Sequence, residues 1–324
     1  MLPAVLQAGI DRLLEGVSRN ELAERATALS ESYRDGAPSA TAITSGIDAL
    51  AYAVARMPAT YAAVAAALAS AAERVPKFAP QSLFDVGAGP GTASWAATAV
   101  WSSLAQVTMV DKNRYFRELA GKLTAGSDGS ALSRADYRSE DIGRPTVATL
   151  AADVIVAGYA LAELDAGQQS GVVARLWEAA RGMLVLVEPG TPAGYARILA
   201  ARRLLIEAGA QVLAPCPHAG ACPIQPPDWC HFAVRLSRSR EHRLAKSASL
   251  PFEDEKFSYI AAGRTGGALA PVVGRILAPP RVRKADVAMK VCTPAGIVER
   301  HFPRRDRASF ASVRRLGWGG AILK

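Results

Sequence analysis

The chain has 324 residues, half of them hydrophobic, and a formal net charge of +9, enough for a sizeable core in one large domain or two. No run of about 18 apolar residues occurs, which argues against a membrane span, and the four cysteines read as metal ligands or buried thiols rather than disulfides. The charge is uneven: residues 1–230 carry 19 Lys and Arg against 22 Asp and Glu, a net of −3, whereas residues 231–324 carry 19 against 7, a net of +12. The C-terminal part is therefore expected to meet a polyanion, most simply nucleic acid, with a solvated basic surface as the plainer alternative.

The first residues, Met1-Leu-Pro-Ala-Val-Leu, lack the basic start and cleavage site of a secretory signal, and Asp11 and Glu15 come early for a transit peptide. With the heavy Ala and Arg usage, this predicts a cytoplasmic protein of bacterial type. Residues 1–75 read as helical. Val5, Ile10, Leu13, Leu14 and Val17 lie at helical spacing, and a second helix runs from Asn20, as N-cap, to about Tyr33. Asp35-Gly-Ala-Pro breaks it. Helices over Thr44–Val54 and Thr60–Val75 follow, separated at Arg56-Met-Pro, and Pro76–Pro80 is a linker. Such a helical cap either shapes a substrate cleft or simply packs on the sheet.

From Leu83 strands and helices alternate. Leu83, Phe84 and Val86 form a strand running into Gly87-Ala-Gly-Pro-Gly91, and a helix covers Thr92–Leu104. Further strands are expected at Gln106–Val110, Ala135–Tyr137, Ala152–Ala157 and Met183–Val187, with helices at Arg114–Leu123, Gln168–Arg181 and Tyr195–Ala208. This rhythm predicts an α/β class, with a doubly wound, mostly parallel, Rossmann-like sheet. Beyond Gly209 the texture changes: Ala214–Cys230 is rich in Pro and Cys, Phe257–Ala262 reads as a strand, and Val287–Val291 with Ile297–Phe302 reads as a hairpin. The expected organisation is a helical region (1–75), a methyltransferase-like core (76–213), and a Cys-rich, basic extension with the remaining core strands (214–324).

The stretch Phe84–Gly91 organises the chain. Glycines let the backbone approach a ligand, and free N–H groups at the following helix favour polar or anionic atoms. A dinucleotide fingerprint would need glycine where Thr92 stands, which disfavours NAD. The alternating glycines Gly87, Gly89 and Gly91, with Ala88 between them and Asp85 before them, resemble motif I of S-adenosylmethionine-dependent methyltransferases. Asp111, closing the second strand, is placed to accept hydrogen bonds from ribose hydroxyls. Asp141, after the third, falls where such enzymes contact adenine. Gly158–Glu163, including Tyr159, falls at the methyl-transfer region. Each carboxylate alone reads equally as a cap or surface charge; their order favours S-adenosylmethionine. Amino methyltransferases usually carry Asn/Asp-Pro-Pro-aromatic after the fourth strand; here it reads Gly158-Tyr159-Ala160-Leu161. Pro215-Cys216 resembles the setting of a base-methylating cysteine but lies too far along the chain. No catalytic base is identifiable.

Cys216, Cys222 and Cys230 fall within 15 residues, and Cys292 lies on the expected hairpin. Four thiolates suit either tetrahedral zinc or an iron–sulfur cluster. The spacing lacks the tight pairs of zinc ribbons, a larger cluster tolerates wider loops, and His218 and His231 are alternative zinc ligands. Scattered buried cysteines are the plainer reading. Basic runs at Arg235–Arg243, Arg281–Lys284 and Arg304–Arg307, with Arg314-Arg315, suggest RNA phosphate contacts, and Phe302, Phe310 and Trp318 offer stacking surface.

Several segments together resemble the methyltransferase-like assembly proteins of the mitochondrial small ribosomal subunit and their bacterial relatives. They are Arg56-Met-Pro-Ala-Thr-Tyr61, Phe84–Gly91, the Cys216–Phe232 block, Glu253-Asp-Glu-Lys-Phe-Ser-Tyr259, Val291-Cys292 with Gly296, and Gly317-Trp-Gly319. The resemblance implies an S-adenosylmethionine-binding fold that contacts small-subunit ribosomal RNA. It also implies a four-iron, four-sulfur (4Fe-4S) cluster on Cys216, Cys222, Cys230 and Cys292. Two residues depart from the pattern: Asp111 stands where the longer Glu is expected, and Gly319-Gly320 replaces Gly-Asp. Two further readings stand beside an RNA methyltransferase: a non-catalytic assembly factor on the same fold, and a small-molecule methyltransferase with structural zinc. No membrane or obligate protein partner is indicated.

Overall fold

The computed structural model describes residues 1–34, 39–144, 151–264 and 269–323. Five parallel strands come first: β1 (Ser82–Val86), β2 (Gln106–Val110), β3 (Asp136–Arg138), β4 (Ala152–Gly158) and β5 (Ala180–Pro189). The strands β6 (Gln211–Ala214), β7 (Phe232–Ser237) and β8 (Phe252–Gly263) complete this sheet. Its order is β3-β2-β1-β4-β5-β8-β6, with β7 paired along β8. Strand β8 runs antiparallel to β5, β6 and β7. The order reverses at β1, which pairs in parallel with both β2 and β4, so the crevice lies beyond the carboxyl ends of these strands.

Both faces of the sheet are covered, which is why its strands read as near-continuous apolar runs. Alternation divides them. Leu83, Val154, Val156, Val185 and Val187 face one core, and Phe84, Ile155, Leu184 and Leu186 face the other. The first core is filled by α1 (Ala4–Leu13), α2 (Arg19–Arg34), α4 (Gly46–Ala55), α5 (Met57–Ala72), α6 (Thr92–Val100) and α7 (Arg114–Thr124); a four-residue α3 (Ser39–Ala42) precedes α4. Helices α8 (Ala166–Ala179) and α9 (Pro192–Glu207) fill the second.

Beyond α10 (Arg240–Ala245), β9 (Val272–Ile276), β10 (Arg281–Val282), β11 (Asp286–Thr293), β12 (Gly296–Pro303) and β13 (Ala321–Leu323) make a second, antiparallel sheet. The short α11 (Arg307–Val313) packs on it through Val313, and Ile276, Val287, Met289, Val291 and Ile322 complete its core. Among the described residues no helix is long and apolar enough to cross a membrane.

Element boundaries differ from the expectations for local reasons. The helix expected from Thr60 begins at Met57, because Pro58 falls in its first turn, where no N–H is needed. Ser18 rather than Asn20 caps α2, accepting from the Glu21 N–H at 3.4 Å. The break expected at Asp35-Gly-Ala-Pro lies outside the described residues. Strand β5 starts three residues early, and β8 is twice its expected length because Glu253, Asp254 and Glu255 pair against β7.

Gly190, at the end of β5, is where close packing admits no side chain. Its N–H donates to the Lys256 carbonyl at 2.9 Å, and a Cβ there would stand 2.7 Å from Lys256 and Phe257 backbone atoms. Gly190→Ala is therefore expected to cost about 1–3 kcal/mol of stability through forced backbone shifts. Thermal unfolding checks this, and an unchanged midpoint would contradict it.

Candidate functional site

The glycine loop is held from two sides. The N–H groups of Gly87 and Ala88 both donate to the Val110 carbonyl, at 2.9 and 3.0 Å. Gly89 donates to Asp111 Oδ2 at 2.9 Å and accepts at its carbonyl from the Tyr137 hydroxyl at 2.7 Å. All three glycines have positive φ (68°, 53° and 84°), and Gly91 supplies the left-handed N-cap of α6. A Cβ on Gly87 would lie 2.7 Å from that of Ala160, so the loop touches the segment after β4. Above Gly89 a Cβ would meet only the Phe116 ring, at 3.8 Å. Gly89 thus faces the Phe116 ring at the crevice beyond the strand ends.

The expected ligand residues fall around it in different roles. Asp85 is 1% exposed. Its Oδ2 accepts from the Ser94 N–H at 2.8 Å and the Ser94 hydroxyl at 2.7 Å, while its Oδ1 is buried without a partner. Burial pushes this carboxyl up to about 7, against the stabilising Ser94 bonds and with further repulsion from Asp111. Asp111 is half-buried and raised by burial; its Oδ1 accepts from the Asn113 N–H at 2.8 Å. Asn113 in turn caps α7 and donates to the Ile43 carbonyl at 2.9 Å, joining the helical region to the crevice. Asp141 accepts from the Gly143 N–H at 2.9 Å and lies 3.8 Å from the Lys112 ammonium.

Tyr159 is held in the left-handed region, with φ 63°. Its N–H donates to the Val187 carbonyl at 2.7 Å, and its hydroxyl donates to Glu255 Oε1 at 2.7 Å. Arg56 lies 3.9 Å from the same carboxylate. A non-glycine residue in this conformation costs of order 1–3 kcal/mol and marks a constrained site. Arg56 and Glu255 carried no individual signal in the sequence. Neither did Tyr52, whose ring meets Phe116 edge-on at 4.9 Å. Glu188, fully buried, supports the same corner. It accepts from the Leu161 N–H at 3.1 Å and from Arg197 Nε at 2.6 Å, and burial lifts it to about 6.

A second cavity is lined by all four cysteines, all of them free thiols. The Tyr195 hydroxyl is 3.2 Å from Cys222 Sγ, and His218 Nε2 is 3.7 Å from Cys292 Sγ. Burial raises the thiols of Cys216 and Cys230, and pushes Cys292 up to about 12, with mutual repulsion adding to it. The loop is anchored outside the cavity: Trp229 Nε1 donates to the Gly190 carbonyl at 2.9 Å, and His231 stacks on Trp229 and meets Trp318 edge-on. Trp318, expected as stacking surface, is thereby used within the fold. Among the described residues no three His, Cys, Asp or Glu side chains are grouped as a single metal ion requires.

The basic runs separate. Arg235 is paired bidentately with Asp254, at 2.8 Å for both bonds, and Glu253 holds Arg238 and Lys246 at 2.7 and 2.6 Å. Arg235 and Arg238 of that first run are thereby neutralised, while Arg240 and Arg243 are exposed. On the second sheet, among the described residues, no carboxylate lies within 4.0 Å of Arg283, Lys284, Arg300, Arg305, Arg307 or Arg314, and all six are exposed.

A parallel sheet that reverses its order beside a glycine turn, with an antiparallel strand set between its last two members, is the Rossmann-like fold of S-adenosylmethionine-dependent methyltransferases. Within that class the chain belongs to the family described as mitochondrial small ribosomal subunit Rsm22, whose model matches residues 46–322. The human ribosome assembly protein METTL17, mitochondrial, is 30% identical over 290 residues, covering 84% of this chain and 62% of the human protein. The Rsm22-cox11 tandem protein 2, mitochondrial, of Schizosaccharomyces pombe is 27% identical over 161 residues, 44% of this chain and 21% of that one. The chain thus spans less than two thirds of these relatives. An O-methyltransferase family protein from Burkholderia thailandensis superposes with a TM-score of 0.44 and 15% identity, over 69% of this chain and 61% of that one.

These mitochondrial relatives overturn the cytoplasmic, bacterial placement expected from the sequence. The physical reason is that Ala and Arg content reflects composition, whereas a compartment address is a signal read by receptors.

The Asp85 carboxyl makes a pH prediction. Its folded value of about 7 exceeds the ordinary 3.8, so its contribution to stability is complete below about pH 4 and is lost as pH rises through 7. Asp85→Asn is expected to remove that loss. The stability difference, variant minus wild type, should rise between about pH 4 and 7 in denaturant titrations; a flat difference would refute the buried titration.

Proposed function

We propose that this chain is an S-adenosylmethionine-binding, methyltransferase-fold assembly factor of the small ribosomal subunit. On this reading it contacts ribosomal RNA through its second sheet and carries a 4Fe-4S cluster on Cys216, Cys222, Cys230 and Cys292. The assembly role rests on family membership and on the human relative's name. The observation that carries the ligand is the glycine turn at the point where the sheet order reverses, with Asp111 bound to the Gly89 N–H.

The residues present fit the methyl donor. Gly87, Gly89 and Gly91 leave room for close approach, with Ala88 packed beneath, and Asp111 retains lone pairs for ribose hydroxyls beyond its two backbone bonds. Asp141 stands beside the same edge. Bound there, S-adenosylmethionine would supply an electrophilic methyl group. Asp85 orders the start of α6 through Ser94, and Tyr159 fixes the corner between β4 and β8. The four cysteines also fit their group in donor chemistry: Cys216, Cys222 and Cys230, on the loop after β6, and Cys292, on β11, line one cavity, and thiolates are the ligands that hold iron–sulfur clusters.

A non-catalytic factor on the same fold is favoured by one observation. Tyr159, the aromatic residue of the segment after β4, has its hydroxyl bound to Glu255, and Leu161 stands where amino methyltransferases carry their aromatic residue. Crosslinking to total RNA, followed by mapping of methylation at the bound segment, separates the two readings.

Gly89→Arg places a long side chain at the crevice and is expected to abolish S-adenosylmethionine binding in calorimetry; unchanged affinity would refute the site. For RNA, the binding constant is expected to fall steeply with salt. Replacing Arg300, Arg305 and Arg307 together by Gln should reduce the log–log salt slope by about 2–3. The same triple change in Arg235, Arg238 and Lys246 should alter the slope far less, because those cations already face carboxylates.

A further inference from the structure

Three buried arginines lie at or near the cysteine cavity, Arg275 2% exposed, Arg202 5% and Arg74, beside Arg275, 8%. Arg202 and Arg275 line the cavity itself. Arg202, from α9, donates through Nη2 to the carbonyls of His218 and Gly220, at 2.9 and 2.7 Å. Its Nε is buried with no partner. Arg275, on β9 opposite Cys292, donates through Nε to the Pro215 carbonyl at 2.7 Å, and through Nη1 to the Gly319 carbonyl at 2.7 Å and the Ser70 hydroxyl at 3.2 Å. Arg74 donates to the Leu213 carbonyl at 3.1 Å and is repelled by Arg275.

What these guanidiniums lack is a counter-ion. Among the described residues no carboxylate lies within 4.0 Å of any of them. Backbone carbonyls satisfy their donors in part but do not neutralise their charge. A buried unpaired ion costs several kcal/mol, and a guanidinium does not escape that cost by losing its proton. Neutral thiols supply no negative charge. The groups in reach that would are the cysteine sulfurs as thiolates, together with whatever they hold. Four thiolates around an iron–sulfur core leave the whole centre negative, and its potential depends on net charge and on hydrogen bonds to its surroundings.

We propose that Arg202 and Arg275 are the built-in counter-charges of the cysteine-held cluster, positioning residues that make the cavity an anion site and raise the cluster's reduction potential. The inference rests on the cluster reading above. The reaction concerned is one-electron uptake: an external low-potential donor, such as a reduced viologen or dithionite, supplies one electron. One ferric equivalent becomes ferrous, and no bond forms or breaks. Each reduction adds a negative charge beside two fixed cations, which lowers its cost. Arg202 also clamps the Cys216–Cys222 loop through two carbonyls, so charge and geometry act through one side chain.

The test uses the full chain purified without oxygen, as wild type, Arg202→Gln, Arg202→Lys and Arg275→Gln. Iron is counted, and the midpoint potential is read by mediated titration with electron paramagnetic resonance. Wild type is expected to hold about four irons. Each Gln variant should be about tenfold harder to reduce, a downward shift of about 59 mV for a one-electron couple. Arg202→Lys should recover most of that shift, because it restores charge without the planar fork. Where a Gln variant fails to hold iron, the comparison passes to iron retention at matched thermal stability. Retention in Arg202→Lys but not Arg202→Gln supports the counter-charge role, and equal loss in both overturns it. Iron-containing variants with unchanged potentials overturn this inference and leave the cluster reading standing. Wild type without iron removes the cluster reading itself.

Discussion

The Arg275 guanidinium joins parts of the chain that are far apart in sequence. It reaches Ser70 on α5, the Pro215 carbonyl at the entrance to the cysteine loop, and the Gly319 carbonyl near the C-terminus. The second sheet is thus tied to the first through a charged group that is almost fully buried. Such a group is tolerable only when its donors are satisfied and its charge is answered. Its Nε and Nη1 donors are answered by backbone carbonyls and a hydroxyl. Because Arg275 stands opposite Cys292 in the ladder, the fold of the C-terminal part and the chemistry of the cysteine cavity are one electrostatic problem.

Strand β8 connects that cavity to the glycine crevice. Its Glu255 holds Tyr159 at the crevice, and three residues later Ser258 donates to the Cys230 carbonyl at 2.7 Å. Phe257 and Tyr259 pack with Phe232 at the end of the cysteine loop. The two sites thus draw on residues only three apart on one strand. Gly190, with Trp229 against its carbonyl and Lys256 against its N–H, is a second crossing between the same elements.

Much of the first site was legible locally. An apolar run ending in alternating glycines before a helix has few alternatives, and β1, β2 and β4 fell where the pattern put them. The partners of Tyr159 were not legible, because Glu255, on β8, and Arg56, between α4 and α5, are 96 and about 100 residues away in sequence and meet it only in the packed fold. The long β8 was half-seen for a related reason. The strand was expected only from Phe257, and Glu253-Asp-Glu joins it because β7 stands opposite, with Arg235, Arg238 and Lys246 as its charge partners. That same pairing takes Arg235 and Arg238 out of the free charge of the first basic run. Charge counts along a chain do not reveal which cations already have partners.

The sequence alone determined the α/β class, the glycine turn and the grouping of three cysteines, because each is written within a short stretch and governed by local backbone freedom or spacing. Tertiary structure decided what spacing does not encode. It brought Cys292 to the other three cysteines and set Arg202 and Arg275 beside them; among the described residues no carboxylate lies within 4.0 Å of these two, or of Arg283, Lys284, Arg300, Arg305 and Arg307 on the second sheet, whereas Arg235 and Arg238 are neutralised. Burial and charge pairing are properties of neighbours in space, and at these positions the neighbours come from strands and helices far apart in the chain.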